Sequence, residues 1–258
     1  MTAATVSRSA AGVRLLRSMA NFGLLLAGVA LLLLTAGPVG WRAGWWSYRL
    51  AFTTLMPYAF YCGVTAIAVS AVALLLTFRR IALRGLLPAV LGLLIGAIAV
   101  YFPWHASEMR GVYPPMHDIT TDSIEPPPLD FAAGMRVAEA GTSPTYPGTD
   151  TAALQQKFYP GIAPAMLDLP PSQAFDRALA VAQAKGWTIV KADRGAGIID
   201  AYDRSFWFGF SDDIAIRVAV SGGGSRVDIR SASRQGRGDF GINAVRVRGF
   251  LAALTAQP

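Results

Sequence analysis

The chain has no acidic residue in its first 107 positions. All sixteen Asp and Glu residues lie at or beyond Glu108, whereas eight of the 23 basic residues precede it. The remaining 15 basic residues nearly balance the 16 acidic ones, so the net charge of +7 belongs to the N-terminal part. Proteins that bind nucleic acid through charge carry a basic face on a water-soluble region. The near-neutral C-terminal part therefore argues against nucleic acid as a partner.

Cysteine and mid-chain ionisable groups are scarce as well. Cys62 is the single cysteine, which excludes an internal disulfide and favours a small apolar packing residue. Three stretches contain no charged residue and no histidine: Ser18–Trp41, Leu50–Phe78 and Gly85–Trp104. Transporters and proton relays usually place ionisable groups at mid-membrane, so these stretches argue against ion or proton translocation.

The three uncharged stretches contain 24, 29 and 20 residues. A helix of about 20 apolar residues crosses a bilayer core. Aromatic residues cluster between the first two stretches and close the third, as expected at membrane interfaces. We predict membrane helices at about residues 20–40, 51–77 and 84–103, forming a three-helix anchor over 18–104 whose partner is the lipid bilayer.

Arginine placement predicts the orientation of this anchor. Three arginines lie in the tail formed by residues 1–17 and three lie between Arg79 and Arg84, against Arg42, Arg49 and Arg110 on the other side. Positive residues favour the cytoplasmic side. We therefore expect a multi-pass protein of the cell inner membrane with a periplasmic C-terminal domain. A cleaved signal peptide is the alternative for the first stretch, but its apolar part is longer than usual and we favour a retained anchor.

Prolines dominate the segment that follows the anchor. Twelve of the sixteen prolines lie between Pro103 and Pro171, a density that disfavours long helices and central strands. We expect an extended connector over residues 105–171, with a short helix at about Leu129–Ala140. Its apolar residues, such as Phe131, predict that the connector packs on the domain that follows.

Clear periodicities begin after the connector, over residues 172–258. Ser172 is the predicted N-cap of an amphipathic helix over about 173–185, and Gly186 suits the position after its end. Two short strands are predicted next, at Trp187–Val190 and Ile198–Arg204, with a turn at Asp193–Gly197 between them.

The strongest local pattern is a β-hairpin over Asp213–Ser233. Apolar and polar residues alternate on both sides of three glycines. A turn at Gly222-Gly223 would place Val218 opposite Val227, Ile216 opposite Ile229, and Arg217 opposite Asp228. A register shifted by one residue would set an apolar row against a charged one.

A last helix is predicted from near Asp239. Asn243 falls on its apolar face, so its side chain must find partners, which we expect in the backbone of the sheet or connector. The predicted order is helix, about four strands, helix. Antiparallel strands with flanking helices form a small α+β domain behind the three-helix transmembrane anchor.

Three separated motifs resemble the domain of unknown function family 1499 (DUF1499). They are Pro115–Asp122 (PMHDITTD) followed by Pro126–Pro128, then Phe206–Asp213 (FWFGFSDD), and Ser225–Asn243 (SRVDIRSASRQGRGDFGIN). The resemblance covers about Pro114 to Leu254. The family occurs in bacteria and plastids, alone or behind membrane helices, and has no assigned activity or catalytic residues. The resemblance therefore implies domain limits rather than a chemistry.

Metal-binding candidates are weak. His117, Asp118 and Asp122 could contribute ligands, but their spacing matches no established zinc or calcium pattern. Thr120 and Thr121 equally suit a turn satisfied by side-chain hydrogen bonds. We predict no metal and no cofactor, and retain these three residues as weak candidates only.

An arginine cluster is the main candidate for ligand binding. Arg230, Arg234 and Arg237, together with Ser233, could hold a phosphate or carboxylate, because guanidinium groups bind such anions bidentately. The N-terminus of the last helix would add to the attraction. The alternative is internal pairing with nearby carboxylates: Asp122, Asp203, Asp228 or Asp239.

Aromatic residues are dense at Phe206–Phe210. They could pack in the core, or form an exposed lip, including Trp207 and Phe208, that touches lipid or a partner. No serine lies in a nucleophile elbow, and Gly222–Gly224 lacks the lysine and following helix of a phosphate-binding loop. We assign no catalytic residue.

The sequence thus predicts a non-enzymatic, membrane-anchored binding or assembly module that faces the periplasm. An envelope protein or an anionic ligand is the expected partner. The alternative is an enzyme acting on envelope lipid or cell-wall material, with His117 and either Asp118 or Asp122 as acid–base or metal groups. Those groups would have to converge in one cleft.

Overall fold

The computed structural model describes residues 3–80, 85–139 and 141–256. The chain divides into two compact units, Met1–Met109 and Arg110–Pro258, called here the membrane unit and the sheet unit. Arg84 and Ala140, which bound two of the predicted helices, lie outside the described residues.

Three long helices form the membrane unit. They are α1 (Ala3–Arg42), α2 (Met56–Arg80) and α3 (Leu86–Val112), the last of which extends into the sheet unit. A helical turn at Tyr48–Leu50 and a π-helix at Ala51–Leu55 lead into α2. All three segments are long and apolar enough to cross a membrane, so the predicted anchor is confirmed and the chain is a membrane protein.

Small residues allow these helices to approach one another closely. A Cβ atom added to Gly63 of α2 would lie 3.1 Å from the carbonyl oxygen of Gly96 of α3. Gly23 and Gly92 both face the Ser70 hydroxyl, which leaves no room for a larger side chain. Membrane helices associate through such close backbone contacts because lipid supplies no hydrophobic driving force between them.

The sheet unit contains six antiparallel strands. They are β1 (Asp118–Thr120), β2 (Ala165–Leu167), β3 (Thr188–Asp193), β4 (Ile198–Arg204), β5 (Ser211–Ser221) and β6 (Gly224–Ser233). Their order is β1-β6-β5-β4-β3, and β2 also pairs with β6. The α+β fold is confirmed, and its four predicted strands are extended by the short strands β1 and β2.

The predicted hairpin register is confirmed. Val218 pairs with Val227, Ile216 with Ile229, and Arg217 with Asp228. The register follows from alternation, because only this pairing puts the apolar residues of both strands on the same face. That face packs against α6 (Pro171–Ala184) and α7 (Ile242–Thr255).

The N-terminus of α6 differs from the prediction, whereas its C-terminus agrees with it. Ser172 is not the N-cap: Pro170 takes that position and Pro171 is the first helical residue, because a proline there loses no needed hydrogen bond. The C-terminal prediction is confirmed. Gly186 has a positive φ of 76°, and its N–H donates to the carbonyl of Gln183 as in a Schellman motif.

The connector contributes to the sheet unit through short elements. The predicted helix appears as a 3-10 turn at Asp130–Ala132 followed by α4 (Ala133–Ala138). A further helix, α5 (Thr149–Phe158), was not predicted. Met116, Ile119 and Tyr159 belong to the same hydrophobic core as the sheet and α7.

Candidate functional site

The two faces of the sheet differ in chemistry. One face is apolar and covered by helices, whereas the other, here called the charged face, carries a row of ionised side chains. Alternation along the strands places them together: Asp118, Asp213, Arg217, Asp228, Arg230 and Arg234. Connector residues around Leu129 cover this face, so charge is buried there rather than exposed.

Asp118 and Arg230 form the ion pair nearest the edge of this face. Arg230 Nε and Nη2 donate to the two carboxylate oxygens of Asp118 at 3.0 and 2.7 Å. Both side chains are only 3% exposed. The remaining guanidinium donors reach the carbonyl oxygens of Pro127 at 3.3 Å and Pro144 at 2.9 Å, and the Tyr146 ring lies 5.4 Å from the guanidinium carbon. Arg230 is thereby held in one orientation.

Asp213 serves two guanidinium groups. Arg136 Nε donates to it at 2.8 Å, and Arg234 Nη2 donates at 2.6 Å. Arg234 also bonds Glu139 at 2.6 Å, which links α4 to the sheet. Burial lowers the pKa of Arg136, while the negative charges of Asp213 and Asp118 oppose that change. The connector is thus fastened to the charged face by fully buried ion pairs.

Asp122 belongs to a third cluster. It accepts hydrogen bonds from Arg217 at 3.1 Å and Arg226 at 2.7 Å, and both arginines also contact Asp228. Burial acts to raise the pKa of Asp122, but the backbone N–H groups of Glu125 and Ile124, together with the charges of Arg226 and Arg217, outweigh it and lower that pKa. This carboxylate therefore closes the turn that follows β1.

The three weak metal candidates do not share one site: His117 and Asp118 are neighbours, whereas Asp122 belongs to another cluster. Asp118 and Asp122 are engaged by different arginines, and His117 contributes its backbone carbonyl to the N–H of Ser233 at 2.9 Å. Within the described ranges no group of three or more His, Cys, Asp or Glu side chains is placed to hold a metal ion.

The arginine cluster is divided in the same way. Arg230 and Arg234 point into separate buried ion pairs, whereas Arg237 lies on an exposed loop after β6. Ser233 accepts a hydrogen bond from the Asn243 side-chain amide at 2.9 Å. The partners of both arginines are carboxylates other than the four considered from the sequence. The role of these residues in ligand binding stays a prediction.

Asn243 is buried as expected and fully used. Its amide donates to the backbone carbonyl of His117 at 3.1 Å, and its oxygen accepts from Ser231 at 2.6 Å and from Arg246 at 2.6 Å. Arg246 also donates hydrogen bonds to the carboxylates of Asp203 at 3.0 Å and Asp212 at 2.7 Å. The bond to the His117 carbonyl is the predicted contact with the connector backbone. The contacts through Arg246, which join α7 to β4 and β5, were not predicted.

The aromatic run has both of the considered environments. Phe208 is 5% exposed and stacks on Phe210 at a centroid distance of 4.9 Å. Phe206 is 90% exposed and Trp207 is 42% exposed. This loop therefore contains both exposed and packed aromatic rings.

An open groove of about 670 Å³ borders Arg230, the basic member of the Asp118–Arg230 pair. Its apolar walls come mainly from the connector. The lining residues include Ile124, Pro126, Pro128, Leu129, Pro144 and Tyr146. Burial raises the pKa of Tyr146 to about 12, so its phenol stays protonated at neutral pH. In the described part of the chain its hydroxyl has no hydrogen-bond partner.

A second cavity of about 180 Å³ borders Asp118, the acidic member of the same ion pair. It is lined by His117, Asp118 and Arg237 together with apolar residues of the connector. The segment around Pro147 separates the two spaces, since Tyr146 lines the first and Pro147 lines the second.

The charged face and most of the connector that covers it lie within residues that match a known protein family. The family described as "Protein of unknown function (DUF1499)" matches residues 118–254. The chain belongs to the DUF1499 family. No curated protein matches the chain.

The DUF1499 match begins at Asp118, the residue that pairs with Arg230, and it includes the whole sheet. Sequence reasoning named Asp118 and Arg230 separately but missed Arg136, Asp213, Glu139 and Tyr146. A usable signal was the alternation in the hairpin, which puts Asp213 and Arg217 on the face opposite to Ile214. No local pattern marks Arg136 as its partner.

Proposed function

We propose that this protein is a binding module anchored in the inner membrane, with its sheet unit in the periplasm. Residues 1–17 would form a cytoplasmic tail, 18–104 the anchor, 105–171 the connector and 172–258 the main part of the soluble domain. The excess of arginine on the tail side of the helices supports this orientation. We assign the partner to the periplasmic envelope, as an extended and largely apolar segment of another protein.

The groove that borders Arg230 carries this proposal. Its volume of about 670 Å³ lies in the range of ligand-binding clefts. Proline and leucine side chains give it rigid apolar walls that lose little conformational entropy when a ligand binds. The Tyr146 side chain completes these walls, and its buried hydroxyl has no hydrogen-bond partner among the described residues.

Electrostatics favour a neutral partner segment over a free anion in this groove. Arg230 and Asp130 are the charged residues among those that line the groove. Asp118 takes two of the hydrogen bonds of Arg230, at 3.0 and 2.7 Å. The two carbonyl oxygens of Pro127 and Pro144 take further donors. An entering carboxylate or phosphate would have to compete with a buried partner that is already bidentate.

The enzyme alternative has less support from the geometry. His117 and Asp118 do line the second cavity, but the Asp118 carboxylate is bound by Arg230. Asp122 is bound by Arg217 and Arg226 in another cluster. A general acid or base needs a free path to a reacting proton, and neither carboxylate has one while its ion pairs persist.

A photoreactive amino acid at Thr145, which lines the groove, tests the binding role in the full chain in its native membrane. The same probe at Gln183, an exposed position of α6, is the control. We expect a discrete crosslinked adduct at Thr145 that disappears when Thr149→Trp fills the groove. Equal adducts from both positions, or an adduct indifferent to Thr149→Trp, would refute the groove assignment.

The orientation has its own test. A reporter enzyme that is active only outside the cytoplasm can be fused to the C-terminus of the full chain. Activity in this fusion, together with inactivity of a fusion after the tail at Arg17, supports the proposed placement. An inactive C-terminal fusion together with an active fusion after Arg17 would place the sheet unit in the cytoplasm.

A further inference from the structure

The loop between β4 and β5 presents two aromatic rings on a rigid support. The N–H of Ser205 donates to the carbonyl of Phe210 at 2.9 Å, and the N–H of Phe210 donates to the Ser205 hydroxyl at 3.0 Å. Phe208 turns inward and stacks on Phe210. Phe206 and Trp207, here called the aromatic tip, are thereby held at the surface, with Phe206 exposed almost completely.

The aromatic tip lies at a particular end of the sheet. Asp212 of β5 pairs with Ser233 of β6, and Ala232 beside it pairs with Asp118, the first residue of β1. The loop after β4 is therefore at the end of the sheet where the chain enters β1. We call this the entry end. The hairpin turn at Gly222-Gly223 lies at the opposite end, because β5 and β6 run antiparallel.

The entry end is joined by a short link to the C-terminal end of α3, which extends past the predicted anchor limit at residue 104. The helix α3 ends at Val112 and β1 begins at Asp118. The residues between them span at most about 18 Å when fully extended. The loop carrying the aromatic tip lies at the same end of the sheet as this link.

Charge at the entry end favours an anionic surface. Its carboxylates are engaged internally: Asp118 by Arg230, Asp213 by Arg136 and Arg234, and Asp203 and Asp212 by Arg246. Arg204 and Arg237 are exposed there, and neither forms an ion pair with any residue that the structure describes. These two arginines supply exposed positive charge at this end of the sheet.

Further apolar side chains accompany the tip. Ile242 and Val245, in the first turns of α7, are exposed. Arg246, the next residue, bonds Asp203 at the end of β4, which fixes these turns beside the loop. Exposed apolar and aromatic residues with flanking arginines are the composition that favours the headgroup region of a bilayer.

We propose that the aromatic tip docks on the bilayer in which the anchor is embedded. Phe206 and Trp207 enter the interfacial region, while Arg204 and Arg237 face anionic headgroups. The docking surface is distinct from the groove, so both can be occupied together. It does not depend on which side of the membrane the sheet unit occupies.

A site-specific fluorescent probe on the full chain tests this docking. The protein carries Cys62→Ser and either Phe206→Cys or Val220→Cys, each labelled with the same environment-sensitive dye. Val220 is a matched control, since it is an exposed apolar residue at the opposite end of the sheet. The labelled protein is reconstituted in vesicles of phosphatidylcholine and phosphatidylglycerol, with or without doxyl-labelled phosphatidylcholine.

We expect the probe at Phe206 to shift to shorter wavelength and to lose intensity when doxyl lipid is present, while the probe at Val220 changes in neither respect. The same behaviour at both positions, quenched or unquenched, would overturn the proposal. Replacing Arg204 and Arg237 with glutamine should reduce the quenching at Phe206. Undiminished quenching in that variant would overturn the role given to the arginines.

Discussion

The buried pair of Asp118 and Arg230 makes a quantitative prediction about stability. In Arg230→Met the Asp118 carboxylate, which is 3% exposed, loses the one guanidinium that bonds it among the described residues. Breaking a buried ion pair from one side costs about 3–5 kcal/mol, because a charge is left without compensation. The carbonyl oxygens of Pro127 and Pro144 also lose donors, at about 1 kcal/mol each at the low end of the usual range.

The double variant Asp118→Leu/Arg230→Met removes both charges. Only the two carbonyl oxygens then remain unsatisfied, so we expect a loss of about 2 kcal/mol instead of about 5–7. The second substitution should thus restore part of the stability that the first one removes. A domain has about 5–15 kcal/mol in total, so the difference between the variants is large on this scale.

Hydrogen–deuterium exchange of the β6 amides in the full chain, held in lipid, measures the free energy of opening of this region. Arg194→Met is the control, because Arg194 and Asp176 form a pair whose side chains are 59% and 48% exposed. Such exposed pairs contribute about 0–1 kcal/mol. If Arg230→Met costs no more than Arg194→Met, or if the double variant is as unstable as the single one, the argument from buried charge is wrong.

Three other outcomes follow from local geometry. Gly197→Ala should destabilise the sheet by about 1–3 kcal/mol in a urea titration, because Gly197 has a φ of 67° and a Cβ there would lie 2.1 Å from the Val218 carbonyl oxygen. Gly195→Ala is the control, since its Cβ would meet nothing closer than 3.6 Å and should have little effect. Burial raises the pKa of Tyr146 from 10.0 to about 12, so the folded state keeps a proton that the unfolded chain loses in this interval. The free energy of unfolding should therefore fall as pH rises from about 10 to about 12. In Tyr146→Phe, denaturation curves should no longer show this part of the fall. If the variant shows the same pH dependence as the wild type, the prediction is wrong. In the membrane unit, Gly96→Leu should lower the melting temperature in detergent because its Cβ would lie 3.1 Å from the Gly63 carbonyl oxygen, whereas Gly28→Leu meets nothing within 4 Å and should not.

Local periodicity was sufficient for the parts of the fold in which neighbours in sequence are neighbours in space. The hairpin is one example, since alternation on both sides of Gly222-Gly223 admits only the register in which Ile216 faces Ile229. The membrane helices are another, because length and hydropathy alone define them. The N-cap prediction at Ser172 was wrong because Pro171, whose fixed backbone suits the first helical turn, begins the helix one residue earlier.

Long-range pairing accounts for what could not be predicted. Asp118 meets Arg230 because a three-residue strand, too short to show alternation, pairs with the edge of β6. Arg136 meets Asp213 across 77 positions from a helix of only six residues. Each partner choice depends on where the connector crosses the sheet, and no pattern of residues near either partner encodes that crossing.

The charged face explains how a proline-rich connector can occupy one defined position. Apolar contacts such as those of Leu129 with Ala215 and Ala232 are non-directional, so they allow neighbouring placements of similar energy. A bidentate contact between Arg230 and Asp118 has a fixed geometry, and any displacement would leave a buried charge unpaired. We infer that the ion pairs select the position while apolar burial supplies most of the stability. The groove is formed by the same connector, so its shape depends on those pairs, and a variant that breaks one of them should alter the groove before it unfolds the sheet.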